Sequence, residues 1–215
     1  ERWPANPQGF HSFLQQTLDY MGAAGALVAG VLIVYGADLI RTIFSPSFAE
    51  SIPMLRVLAL AGMIIYLGNA TGHAMVTVGA QGAGFLTTRL TGAVLNVLLN
   101  LWWIPRWGGY GAAWATVASE GAILLISPWF VRRRTGRLPR PWTALIGVLC
   151  LLLAWQAYRA AGGGILEATW PGRIAGGGVL AAGVLLFLYA HRGQLRELLG
   201  QLRRRGASAT ALPAE

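Results

Sequence analysis

The chain has 215 residues, 55% of them hydrophobic and 12% charged, with a mean hydropathy of +0.53 and a net charge of +9. A soluble domain carries about 25% charged residues, and apolar runs here recur near the roughly 20 residues that a helix needs to cross a bilayer, so an ordinary soluble domain is excluded; the short alternating segments of a membrane β-barrel are missing too. All basic residues are Arg, and most lie in short runs beside apolar spans, the pattern of cytoplasmic loops rather than of nucleic-acid binding.

The expected fold is therefore an all-α membrane protein with about six transmembrane helices. In chain order, residues 1–17 read as a cytoplasmic loop. The chain opens on Glu1 without a signal-peptide pattern, which reads as the C-terminal portion of a longer protein. The first span is predicted over 18–35. Gly22, Ala26 and Gly30 recur there every four residues and form a smooth face for close helix packing. An outer connection, 36–52, leads to the second span, 53–78. That span carries Arg56 near its outer end and a polar stripe of Asn69 and His73, with Tyr66 and Thr77 near the same face.

The third span is predicted over 84–103. Arg89, Asn96 and Asn100 are spaced by seven and four, which places them on one helical face. A tight outer hairpin, 104–109, joins it to the fourth span, 110–131, with Glu120 near its middle and Thr116 and Ser119 beside it. Asn96 and Glu120 are expected at comparable depth. The Arg run at 132–140 then sets the cytoplasmic side. The fifth span covers 142–158 and contains the lone cysteine, Cys150, read as a small hydrophobe. After an outer connection at 159–173, the sixth span covers 174–190. Residues 191–205 read as a basic amphipathic helix, with Leu195, Leu198, Leu199 and Leu202 at helical spacing; its plain role is a topology anchor beside anionic lipid. Trp102, Trp103, Trp107 and Trp170 would form an outer aromatic belt, and Trp129 and Trp142 an inner one.

An ionisable side chain at bilayer depth costs at least roughly 2.5–3.5 kcal/mol on insertion scales, so it faces a partner or a water-filled cavity. Two readings of Glu120 stand: a functional intramembrane carboxylate, or a structural group hydrogen-bonded to Asn96 or nearby backbone. Asn96 and Asn100 read first as interhelical glue. Arg89 lies about five residues inside its span and either snorkels to the interface or binds an anion. His73 is a packed histidine or a titrating one.

Enzymatic chemistry has little support. There is no Lys for a Walker A loop, the glycine stretches follow no strand, and His11, His73 and His191 lie far apart without metal-ligand spacing. No cofactor and no metal are expected.

The stretch LTGAVLNVLLNLWWIPRWGGYGAAWATVASE resembles the signature of polysaccharide-biosynthesis membrane proteins, the lipid-linked oligosaccharide flippases. These belong to the superfamily that also holds multidrug extruders and the lipid II flippase. The matching residues are Asn96, Asn100, Ile104, Pro105, Gly108, Gly111, Ala112, Ala113, Ala115, Thr116, Ser119 and Glu120. Residues 36–60 are similar to the family's preceding loop and helix, although Ser45 and Phe48 stand where the usual pattern has Gly and Tyr. The resemblance covers 18–134.

It implies that 18–134 form four helices of the C-terminal lobe of an alternating-access transporter, that 135–190 add two helices, and that 191–215 are a basic cytoplasmic tail. It implies translocation of a lipid-linked oligosaccharide across the cytoplasmic membrane, with no catalysis. Arg56 and Arg89 would contact a diphosphate or acidic sugar, Asn69, Asn96 and Asn100 would bond sugar hydroxyls, and Glu120 and His73 would be coupling-ion or structural residues, Glu120 binding a coupling ion or bracing the hairpin. Partners would be the lipid-linked oligosaccharide, membrane lipids and polysaccharide polymerases or glycosyltransferases, not nucleic acid. Two alternatives stand beside this: a multidrug extruder of the same superfamily, and a non-transport scaffold for polysaccharide assembly.

Overall fold

A computed structural model describes residues 5–78, 82–140, 142–164, 166, 169–196 and 200. Among them are five helices long and apolar enough to cross a membrane, and no strand. This is an all-α, multi-pass membrane architecture.

Helix α1 (Pro7–Ile43) has 37 residues, about 55 Å at 1.5 Å per residue, well beyond the ~30 Å hydrocarbon core. Asn6 starts it by accepting a hydrogen bond from Gly9 N at 2.9 Å, and Pro7 occupies the first turn, where its missing N–H is harmless. The loop expected over 1–17 is thus corrected: from Pro7 onward it is helix, continuous with the first span. A 3₁₀ turn (Pro46–Ser51) leads into α2 (Ile52–Thr77).

The third and fourth spans form one element, α3 (Ala83–Thr135), broken at Gly108, whose φ of 56° and ψ of −139° lie outside the helical region. Glycine alone adopts such a conformation without strain. The two arms fold back on each other in constant antiparallel register. A Cβ at Gly84 would meet Phe130, one at Gly92 would meet Ile123, and one at Gly111 would lie 2.5 Å from the Trp103 carbonyl oxygen. Small residues here permit an interarm approach that any side chain would block.

Helices α4 (Trp142–Ala160) and α5 (Trp170–Ala190) form a second hairpin. Gly162, at φ 86°, ends α4, and Gly163 N bonds the Tyr158 carbonyl at 2.9 Å, a left-handed C-terminal stop. Helix α1 is the spine: it packs against α2, α4 and α5, whereas α3 packs on α2 and barely touches α4. The small residues of α1 fit neighbouring side chains, Gly25 against Met63 and Gly30 against Leu180.

The connections sort to two ends, as the span order predicts. At one end, Arg41 Nη2 donates to the Leu166 carbonyl at 2.9 Å, and Met54 lies over Gly109. At the other, Gln15 accepts from Arg140 N at 2.8 Å and donates to the Arg140 carbonyl at 3.1 Å. Trp102, Trp107, Trp170, Trp129 and Trp142 all point outward. Of the amphipathic helix expected over 191–205, Leu198, Leu199 and Leu202 lie outside the described residues.

Candidate functional site

Helix α2 presents an open polar stripe. Asn69, His73 and Thr77 are exposed, as is Tyr66 at 38%, while Leu67, Ala70, Thr71 and Ala74 between them are buried. The 3.6-residue period produces this division: 66, 69, 73 and 77 share a face, and the apolar residues pack on the core. Arg89 reaches this stripe from α3. Its Nη2 donates to Asn69 Oδ1 at 3.5 Å, and its guanidinium lies 5.4 Å from the Phe85 ring centre. It crosses α2 at Gly72, where a Cβ would come within 2.9 Å of Nη2. Asn69, His73 and Arg89 are therefore brought together.

Asn96 and Asn100 are placed differently. Asn100 Nδ2 donates to Asn96 Oδ1 at 2.9 Å, Asn96 Nδ2 donates to Ser119 Oγ at 3.0 Å, and Ser119 Oγ donates to the Thr116 carbonyl at 3.1 Å. This chain of hydrogen bonds runs across the α3 hairpin and locks its arms in register. Asn100 Oδ1 is buried without a donor among the described residues. Glu120 lies next to Ser119, so it sits at the depth of Asn96 as expected. It takes no part in the chain: Asn96 bonds Ser119 instead. The half-buried Glu120 carboxylate makes no hydrogen bond or ion pair among the described residues.

Arg56 is apart from all of these. It is 7% exposed and clamped from several sides. Nε donates to the Ile33 carbonyl at 2.9 Å, Nη1 to the Gly164 carbonyl at 3.5 Å and Nη2 to Tyr158 Oη at 3.4 Å. The Trp155 and Tyr158 rings lie 5.1 and 5.4 Å from its Cζ. Thirteen residues separate Arg56 from Asn69 along α2, about 20 Å, so Arg56 and Arg89 do not converge on one phosphate group.

Three polar groups that the sequence reading did not single out fasten α1 to the second hairpin. Asp38 pairs with Arg173 at 2.5 Å, and Tyr35 Oη donates to the Arg173 carbonyl at 3.2 Å. At the other end Asp19 accepts from Gln15 at 2.9 Å and, in a very short contact, from Thr143 Oγ1; its second oxygen is 3.8 Å from His191 Nε2. Asp19 and Asp38 each stood alone in apolar sequence. Apart from Gln15, one turn before Asp19, their partners Thr143, His191 and Arg173 lie well over one hundred residues away, so local spacing held no signal of these cross-helix contacts. No group of His, Cys, Asp and Glu able to hold a metal ion occurs among the described residues.

Comparison of the chain with protein-family models, with curated proteins and with solved structures finds no match.

Proposed function

We propose that this chain forms part of a lipid-linked oligosaccharide flippase, the lobe that handles an anionic polyprenyl-diphosphate substrate during alternating access across the cytoplasmic membrane. The observation that carries the reading is the open stripe Tyr66–Asn69–His73 with Arg89 laid against it. Polar and charged groups on an uncovered face of a membrane helix require water or a polar ligand beside them. Arg suits phosphate and carboxylate groups through its forked donors, and the adjacent amide and imidazole offer hydrogen bonds to sugar hydroxyls. The hairpin motif Asn96–Glu120, whose resemblance points the same way, acts as the rigid frame behind this face.

Within the proposal the residues take unequal parts. Arg89, Asn69 and His73 face the path. Asn96 and Asn100 brace the hairpin. Arg56 holds α2 to α1 and α4 rather than touching substrate. Glu120, without a partner among the described residues and set at the depth of Asn96, is the candidate coupling-ion carboxylate. The basic character of the stripe favours an anionic substrate over the organic cations of a drug extruder.

The test is translocation of a fluorescent polyprenyl-diphosphate oligosaccharide by the full-length protein in proteoliposomes, with and without an ion gradient. The expected result is gradient-dependent flipping, reduced at least about tenfold in Arg89→Ala, the loss of one charge-assisted phosphate contact, and uncoupled from the gradient in Glu120→Gln. Export of an organic cation without lipid flipping would overturn the proposal.

A further inference from the structure

A crevice of about 570 Å³ lies at the Arg-rich end, between the second arm of α3 and the start of α4. Its volume falls within the ~300–1,000 Å³ range of small-molecule sites. It exists because α3 and α4, though consecutive, barely touch. Leu67 and Thr71 of α2 lie at its floor, Leu124, Leu125 and Leu145 line its walls, and Arg132 and Arg140 stand at its edge. Leu125 is 80% uncovered by the chain. The connection that shapes it is held in place: Gln15 hydrogen-bonds both the N–H and the carbonyl of Arg140.

The charges at this edge are complementary to an anion. Neither the Arg132 nor the Arg140 side chain has a hydrogen bond or ion pair among the described residues. Asp19 also lines the crevice, but its carboxylate is already held by Gln15, Thr143 and His191. The location selects the occupant. A gap between two membrane-crossing helices, with apolar walls and a basic rim at the interface, opens sideways into lipid. It is also not the carrier face: Leu67 and Thr71 are each two residues from Asn69, about 200° around α2, so the crevice and the polar stripe lie on opposite sides of that helix.

We infer that this crevice is a binding site for one anionic phospholipid of the bordering leaflet. Its phosphodiester lies against Arg132 and Arg140, and an acyl chain lies along Leu124, Leu125 and Leu145. The lipid fills the space between α3 and α4 that no side chain of the described residues occupies, and joins the two helices through the apolar walls.

The experiment is photo-crosslinking of the full-length protein in mixed vesicles, using phosphatidylglycerol or phosphatidylcholine with a diazirine in one acyl chain, and mapping of the modified peptides. Phosphatidylglycerol is expected to modify the segment 124–145 on the order of twentyfold more than phosphatidylcholine, about fivefold per guanidinium. The preference should disappear in the Arg132→Gln/Arg140→Gln double variant and persist in Arg106→Gln, at the opposite end. Equal labelling by the two lipids overturns the inference, and this comparison needs no variant to fold. A preference that survives in the double variant overturns it as well. Displacement of phosphatidylglycerol by equimolar polyprenyl phosphate would assign the crevice to the isoprenoid instead, and likewise overturns the phospholipid site.

Discussion

Two arginines of similar appearance in the sequence have different fates at the residue scale. Arg56 is enclosed by two backbone carbonyls, a tyrosine hydroxyl and two aromatic faces, while Arg89 lies against an open amide. Removing Arg56 leaves buried acceptors without donors, at about 1–3 kcal/mol. Arg56→Ala is therefore expected to lower the thermal midpoint of the purified protein markedly. Arg56→Lys should recover little, because an ammonium does not reproduce a planar fork between two rings. Arg89→Ala should leave the midpoint nearly unchanged. For Asn96 and Ser119, a double-mutant cycle with alanine should give a coupling near 0.6 kcal/mol, the usual size of an interhelical hydrogen bond in a membrane; zero coupling would dissociate the motif from the hairpin lock. The sequence spacing put Arg89, Asn96 and Asn100 on one helical face, whereas in the structure Arg89 reaches Asn69 of α2 and the two asparagines bond across the hairpin. It gave no means of telling which polar residue points into the hairpin and which away from it, because period alone does not name the partner helix.

At the scale of elements, the helices were legible because their apolar runs match the bilayer, and the breaks because Gly and Pro stand where the chain reverses. Gly108 and Gly111 make the α3 hairpin: one adopts a left-handed φ and the other admits the Trp103 carbonyl. Gly111→Val should force the arms apart and destabilise by about 1–3 kcal/mol as an overpacking change, read as a lowered thermal midpoint and increased protease cutting near 104–111. The extension of α1 back to Pro7 was not legible. Residues 7–17 are too polar to cross a membrane, and the signal for helix there is a cap and a proline rather than hydropathy. The α4–α5 hairpin offers a geometric check. A Cβ at position 183 would lie 3.7 Å from Cys150 Cβ, inside the 3.5–4.5 Å window of a disulfide. Gly183→Cys should therefore crosslink to Cys150 under mild oxidation, seen as a non-reducing mass shift of the digested peptide pair. Failure to crosslink would contradict the packing of these two helices.

For the whole molecule, α1 is fastened at both ends to the second hairpin, by Asp38–Arg173 and Arg41–Leu166 at one end and by Asp19–Thr143 and Gln15–Arg140 at the other. Helix α3 is joined to this body through α2. The polar stripe of α2 and Arg89 thus form one open face of a firmly braced unit, and the proposed function requires that face to meet water. Asn69 and His73 were visible as residues four apart, but the approach of Arg89 and the openness of the stripe are properties of the assembled bundle. The most direct measurement is labelling by a membrane-impermeant maleimide of single cysteines at Asn69, His73 and Leu149 in a Cys150→Ala background of the full-length protein in vesicles. Leu149, 54% uncovered on α4, serves as the lipid-facing control. The prediction is that positions 69 and 73 react readily and position 149 does not. Equal protection of all three would place the stripe against lipid or protein and contradict the account of an aqueous carrier face.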